Sequence, residues 1–223
     1  MEKKLNRREF LKASVAAGIA MASVDIPSAF AQELKPIQLL PPQLDGGRPL
    51  MQALKDRNSS RMYTTQKIPL QVLSNLLWAG FGINRPESGK RTAPTGMNRQ
   101  DIDIYVLLPD GAYVYDAKQN QIVSVVPQDL RARATQGFMK EAPVHLLFVA
   151  DYSRYRTMAQ SQKEIYSATH TGFIGQNVYL YCAANGLGAR FYAGVDRATL
   201  KPLLKLREDQ AIVFAQAVGY SKE

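Results

Sequence analysis

The sequence predicts an α+β fold, with helices packed on a mainly antiparallel sheet, and three observations carry that reading. Short β-branched or aromatic runs at 102–108, 112–116 and 122–126 are set around turn signals. Residues 144–150 are apolar on both parities. Two amphipathic or fully apolar helical patterns flank these runs. The 223 residues are 46% apolar, 9% aromatic and 21% charged, with 15 Gly and 12 Pro, which suits one folded domain and excludes long disorder, a collagen repeat or a coiled-coil rod. Cys182 alone cannot form an internal disulfide, and with only His145 and His170 to join it, no thiolate metal site is expected.

In chain order, the first 31 residues read as an address. Asn6 to Lys12 spell Asn-Arg-Arg-Glu-Phe-Leu-Lys, followed by a weakly apolar stretch over 13–24 and then Ala29-Phe30-Ala31, a small-x-small cleavage pattern. This resembles a bacterial twin-arginine signal, which implies recognition by the twin-arginine export machinery, cleavage near Ala31, a periplasmic location and export of a folded, cofactor-loaded protein. The apolar stretch is well short of the roughly 20 residues that span a bilayer, so no stable membrane anchor is expected. Residues 1–31 hold five basic and three acidic side chains, so the rest of the chain carries +7 of the formal +9. Such a charge suits an anionic ligand, but no basic run with interleaved aromatics favours nucleic acid.

Residues 32–49, rich in Pro and Gly, read as an extended arm, and the domain is expected over 50–223. Pro69 opens a helix whose apolar residues Leu70, Leu73, Leu76, Leu77 and Phe81 recur at helical steps up to Gly82. A polar loop over 89–100 leads to the hairpin turned at Pro109-Asp110-Gly111. The run at 144–150 belongs at the sheet centre. Residues 166–185 form a central helix closed by Gly186, 200–206 a short helix and 211–220 a last strand.

Three segments carry candidate chemistry. Arg57-Asn58-Ser59-Ser60-Arg61-Met62-Tyr63 sets two guanidiniums four residues apart around amide and hydroxyl groups, a donor set that converges on an anion. Residues 91–100, including Pro94, Thr95, Asn98 and Gln100, offer amides and hydroxyls suited to the polar edge of a heterocycle. Gly186-Leu187-Gly188 through Tyr192-Ala193-Gly194 are small enough to let backbone amides approach a flat ligand.

In this order the three segments resemble the nitroreductase family of flavin enzymes. The family's Arg-Arg-Ser-x-Arg-x-Phe is matched by residues 57–63, its Pro-Ser-x-x-Asn-x-Gln by 94–100, and its Gly-x-x-x-Gln-Asn-x-x-Leu helix before Gly-Leu-Gly by 172–180 and 186–188. The resemblance implies a nitroreductase-like fold, an intertwined homodimer and FMN as cofactor. It implies an oxidoreductase passing hydride through the flavin to or from a small organic substrate by a ping-pong mechanism. Arg57 and Ser59 would hold phosphate and ribityl oxygens beside Asn58. Arg61 would lie near N1 and the C2 carbonyl, where a cation stabilises charge on the reduced ring. Pro94, Thr95, Asn98 and Gln100 would line the site, Asn98 and Gln100 from the partner subunit. Ala193 and Gly194, after Tyr192, would offer N–H groups to N5.

The family usually carries a basic pair near its C-terminus that closes on the phosphate, for which Lys222 is the candidate here. Leu76 to Gly80 and the Gly-x-x-x-Gln-Asn helix resemble the SagB-type dehydrogenase branch, yet Met158-Ala159 stand where that branch has Lys-Tyr, so azole formation is not expected. No side chain in these motifs is an obvious catalytic acid or base. His170 remains open between packing and proton delivery, while His145 reads as a core histidine, Cys182 as an inert core thiol and Trp78 as packing. No Gly-x-Gly-x-x-Gly motif marks a dinucleotide site, so the electron source is expected to be an organic substrate, with oxygen or a quinone as acceptor, or a redox partner. The competing reading is a flavin-free relative that binds ligands or proteins in the periplasm.

Overall fold

The computed structural model describes residues 34–135 and 137–222; the export signal expected over 1–31 lies outside them. In chain order the strands are β1 (Ile37–Gln38), β2 (Ile83–Arg85), β3 (Lys90–Arg91), β4 (Ile102–Leu108), β5 (Gly111–Asp116), β6 (Gln121–Val126), β7 (Val144–Asp151), β8 (Gly188–Tyr192) and β9 (Gln210–Gly219). The helices are α1 (Leu50–Asp56), α2 (Leu70–Phe81), α3 (Arg131–Ala134), α4 (Gln160–Ala184) and α5 (Arg197–Leu203).

Seven strands form one sheet in the order β1-β6-β5-β4-β7-β9-β8, every neighbour antiparallel. All eight residues of β7 are buried, because its two faces feed two cores. Leu146 and Phe148 meet Leu73, Leu76, Leu77 and Phe81 of α2 and Ile174, Val178 and Cys182 of α4. Leu147 and Val149 point the other way, into a core with Tyr63, Leu130, Leu200 and Ile212. Complete burial of Leu76 and Leu77 stabilises the fold by about 1.5–3 kcal/mol each. Gly80 lets α2 approach α4 closely, since a Cβ there would stand 3.2 Å from Val178 Cγ2.

The α+β order and sheet-centre strand follow the sequence expectation, and three boundaries differ. α4 begins at Gln160 rather than near 166, because its first turns are polar helix formers that carry no apolar stripe. α5 starts at Arg197 and ends at Leu203, set by Asp196, whose carboxylate accepts the Thr199 N–H at 3.1 Å, rather than by its leucines. Lys90–Arg91, read from sequence as loop, pairs with β2. At the far end of α4, Gly186 (φ +70°) lets Leu187 N–H return to Cys182 O at 2.9 Å, closing the helix as a Schellman motif.

The Pro- and Gly-rich segment after residue 33 is an extended arm fastened along its length. Ile37 pairs with Ile122, Leu39 is buried, and the Leu40 and Gln43 N–H groups donate to Ser74 Oγ (3.0 Å) and Asn75 Oδ1 (2.9 Å) of α2.

Candidate functional site

The 57–61 loop begins where α1 stops. Arg57 caps α1 in an extended conformation and sends the chain toward the open edge of β8. There Ser60 N–H donates to Ala189 O (2.9 Å), Lys222 N–H to Met62 O (3.0 Å) and Thr64 N–H to Tyr220 O (2.8 Å), with Tyr63 bridged to Ser221. Buried Ser60 fits because Gly188 lacks a Cβ, which would fall 2.4 Å from Ser60 Oγ. With its backbone pinned, the loop presents its other side chains outward.

Ser59 Oγ lies 2.9 Å from the Tyr179 hydroxyl of α4, and that hydroxyl accepts the Phe191 N–H at 2.8 Å. A phenol has one proton. It also has two lone pairs, so with one engaged by Phe191 the Ser59–Tyr179 bond can run in either direction, and exposed Ser59 keeps hydrogen-bonding capacity toward solvent. The Arg57 guanidinium sits 5.3 Å from the Tyr179 ring centroid. Among the described residues neither Arg57 nor Arg61 has a carboxylate partner. A cavity of about 310 Å³ opens on the β8 side of the loop, lined in part by Asn58, Ser60, Tyr179 and Gly188 together with the Arg48–Asp56 ion pair. Outside that lining, the exposed Ser59 hydroxyl with Arg57 and Arg61 makes a donor set that suits an anionic group.

The 94–100 loop is built the opposite way. Met97, Asn98 and Gln100 take left-handed φ values of 54°, 50° and 49°, each costing about 1–3 kcal/mol unless the surroundings enforce it. Gln100 N–H donates to Thr95 Oγ1 (3.0 Å), Arg91 Nε to Gln100 Oε1 (2.8 Å), and Gln100 Nε2 to Gly89 O (3.0 Å) and Asn98 Oδ1 (3.1 Å). Arg154 donates to Gln100 O and pairs with Asp103 at 2.6 Å. Gly96 N–H donates to His170 Nε2 at 2.7 Å. Pro94 and Asn98 remain exposed.

Both loops lean on α4, one at His170 and one at Tyr179. Those residues are nine apart, about 13 Å along the axis and half a turn around it. A single chain therefore places the two loops on opposite sides of α4 and does not bring Asn98 or Gln100 to Arg57.

Four residues singled out from sequence have side chains engaged within the chain. The Gln100 carboxamide is spent within its own loop. The Tyr192 side chain is buried in the second core, 2.8 Å from His145 Nδ1, because alternation along β8 turns it away from the α4 side where Phe191 lies, so only its backbone is left for a ligand. Lys222 joins the 57–61 loop through its backbone, but its ammonium lies 2.9 Å from Glu141 Oε2, an exposed pair of low strength. His170 is buried with both ring nitrogens engaged.

Ala193 and Gly194 are exposed just past β8, and the space where a Gly194 Cβ would stand is open. His145 is a core histidine: burial, reinforced by the Arg131 cation, pushes it down to about 4. Burial likewise raises the Cys182 thiol far above its ordinary range, keeping it unreactive. The sequence reading passed over Tyr179 and Asp101. Tyr179 occupies a variable position of the helix motif. Asp101 was marked only by being a charge at the entrance of an apolar strand.

A sequence profile of the nitroreductase family matches residues 54–220. A relative from Methanocaldococcus jannaschii, described as a nitroreductase, is 28% identical over 170 residues, covering 71% of this chain and 85% of the relative. Among solved structures, one from Ralstonia eutropha JMP134, also described as a nitroreductase, is 38% identical with a TM-score of 0.81, covering 85% of this chain and 91% of that one. Another, from Desulfovibrio desulfuricans and solved in complex with FMN, is 25% identical with a TM-score of 0.58 over 79% of this chain and 88% of that one. The profile match spans most of the domain and the Ralstonia structure superposes over most of both chains, so this chain belongs to the nitroreductase family.

Proposed function

We propose that the protein is an FMN-dependent oxidoreductase, active as a homodimer, that handles a small organic substrate by a ping-pong cycle. The observation that carries this reading is the exposed donor set at the 57–61 loop, where Ser59 and Arg57 both meet Tyr179 and Arg57 has no carboxylate partner among the described residues. Its chemistry fits a ribityl phosphate. Bound FMN would supply the hydride acceptor and donor, so the chain needs no nucleophile of its own.

In this reading Arg57 and Ser59 hold the phosphate and ribityl oxygens, with Asn58 alongside, and Arg61 stabilises negative charge at the N1 and C2 edge. The exposed backbone of Ala193 and Gly194 orients the N5 side. Asn98, with Pro94 and Thr95 around it, serves a flavin held by a second copy of the chain. Support for the second copy comes from α4, whose exposed residues Ile165, Thr169, Phe173 and Gln176 form one stripe, with Met97 exposed on the 94–100 loop.

Export through the twin-arginine route to the periplasm completes the proposal. Among the described residues no helix is long and apolar enough to cross a membrane. An exported enzyme meets little nicotinamide cofactor, which points to reduction by its own organic substrate, with oxygen or a quinone as acceptor, or by a redox partner. Replacing Arg7 and Arg8 by Lys should strand the protein in the cytoplasm.

One observation favours the flavin-free alternative: Lys222 is turned to Glu141, leaving the loop arginines as the phosphate's cations. An absorption spectrum decides. The purified chain should be yellow or take up FMN, and a colourless protein that cannot be reconstituted sinks the enzyme reading. Anaerobic stopped-flow mixing then tests the reductant, and rapid saturable bleaching by NADPH would refute the periplasmic electron source.

A further inference from the structure

The most buried charged cluster of the described residues lies outside the donor set just described. Asp101 is fully buried where the 94–100 loop enters β4, and its Oδ1 stands 2.6 Å from Nδ1 of His170, which is 2% exposed. Ser167 Oγ donates to Asp101 Oδ2 at 2.6 Å, and Asp151 N–H donates to the Asp101 carbonyl at 2.8 Å. On the far side of the ring, Nε2 receives the Gly96 N–H at 2.7 Å.

An amide N–H can only donate, so Nε2 carries a lone pair and Nδ1 carries the proton directed at Asp101. His170 thus bridges a buried carboxylate and the loop backbone with one defined tautomer. Burial opposes charge on Asp101, yet the hydrogen bonds from His170 and Ser167 prevail and hold its carboxyl below the ordinary range. The Tyr155 hydroxyl lies 3.5 Å from Nδ1 and the Tyr166 ring 5.9 Å from the imidazole, closing the pocket around the bridge. A Cβ on Gly96 would come within 2.8 Å of Tyr166 Cε1, so a glycine permits this approach. The next two residues, Met97 and Asn98, and Gln100 are left-handed, and Asn98 is exposed.

We propose that His170, backed by Asp101, is a positioning residue that latches the 94–100 loop onto α4 and sets the placement of Asn98. The latch touches neither flavin nor substrate. Its functional meaning rests on the reading that Asn98 serves an FMN held by a second copy of the chain.

Two substitutions separate the halves of the bridge. His170→Asn places a carboxamide near Nδ1, keeping the Asp101 contact and losing the Gly96 acceptor. His170→Gln reaches toward Nε2, keeping an acceptor for Gly96 and losing Asp101. In FMN-free protein, amide exchange over 95–100 should accelerate at least tenfold in His170→Asn and remain close to wild type in His170→Gln, with β7 unchanged in both. Wild-type protein needs no substitution to show the bond, as a scalar coupling between the Gly96 amide nitrogen and His170 Nε2 across it. With FMN added, His170→Asn should shift the flavin spectrum and midpoint potential in the same direction as Asn98→Ala, and the double variant should shift them no further than Asn98→Ala alone.

Absence of the coupling, or equal loosening in both His170 variants, overturns the latch. Faster exchange with an unchanged flavin, while Asn98→Ala does alter it, overturns the positioning role. A flavin indifferent to Asn98→Ala, or a wild type that takes up no FMN, overturns the reading beneath and this role with it, and the exchange data tell that failure from failure of the latch.

Discussion

Two polar loops flank α4, and they differ in where their hydrogen-bonding capacity goes. In the 94–100 loop the donors and acceptors close on one another and on buried partners: Gln100 binds Arg91, Gly89 and Asn98, while Gly96 binds His170. In the 57–61 loop Ser60 N–H is held by β8 and the residues just beyond the loop, Met62 and Thr64, are tied to 220–222, while Arg57 and Arg61 have no carboxylate partner among the described residues and the Ser59 hydroxyl is exposed. Internal satisfaction preserves a shape, whereas pinned backbone with free side-chain donors preserves affinity for a ligand. The first loop can present a residue. The second can hold an anion.

The largest expected effect tests the binding half of that contrast. Arg57→Ala should weaken FMN by about one to two decades, the loss of a charge-assisted hydrogen bond worth about 1.5–3 kcal/mol. Arg61→Ala should weaken it less and should lower the flavin midpoint potential, since a cation is lost from beside the charge that reduction adds. Fluorescence titration and spectroelectrochemistry read the two quantities. Wild-type affinity and potential in both variants would remove the 57–61 loop from the cofactor site.

Next in size is a pair of glycine substitutions that compares how rigidly each loop is seated. Gly188→Ala puts a Cβ 2.4 Å from Oγ and 2.8 Å from Cβ of Ser60, a short, buried side chain with little room to move. It should cost about 1–3 kcal/mol as overpacking. Gly96→Ala meets the ring end of Tyr166, which is 39% exposed and can swing away, so it should cost under about 1 kcal/mol. Urea midpoints give both values, and the reverse ranking would mean that the 94–100 loop is the more rigid platform.

The contrast also shows what the sequence could and could not disclose. Alternation and apolar runs located β4 to β7 and β9 because burial on one or two faces leaves a periodic trace. The start of α4 escaped, since Gln160 to Glu164 are solvated and leave none. The Arg57 and Ser59 segment was legible as a donor-rich motif. Tyr179 was not, because its role arises from Phe191 and Ser59 meeting one hydroxyl across three elements. Gln100 and Tyr192 were named from the make-up of their segments, and local geometry, a closed loop in one case and strand parity in the other, turned their side chains elsewhere.

A smaller effect tests which way the Ser59–Tyr179 bond runs. Tyr179→Phe deprives Phe191 N–H of its acceptor and Ser59 of its hydroxyl partner, so FMN should bind up to about tenfold more weakly, in keeping with about 0.5–1.5 kcal/mol for one neutral hydrogen bond. Ser59→Ala should cost a similar amount. The informative quantity is their coupling. If Tyr179 acts by directing the Ser59 proton, the double variant should lose clearly less than the sum of the singles, whereas strict additivity would break the relay into two unrelated contacts.

The smallest effect is confined to acid and concerns the closed loop. The Asp101 carboxyl is held below its ordinary value of 3.8: burial pushes it up, but the hydrogen bonds from His170 and Ser167 outweigh that push. A carboxylate with a depressed folded-state pKa contributes stability that is complete above the unfolded value, so this contribution should not change between about pH 7 and pH 5. Below about pH 4 the unfolded chain takes up the proton first, and the contribution drains away as pH falls through the folded value. Asp129 and Asp151 are lowered too, so total stability cannot isolate the site. The difference between wild type and Asp101→Asn can. The gap in their urea midpoints should narrow as pH falls below about 4. A gap that persists unchanged into strong acid would show that the latch draws nothing from the Asp101 charge, and the closed loop would then rest on its neutral hydrogen bonds and on Arg154.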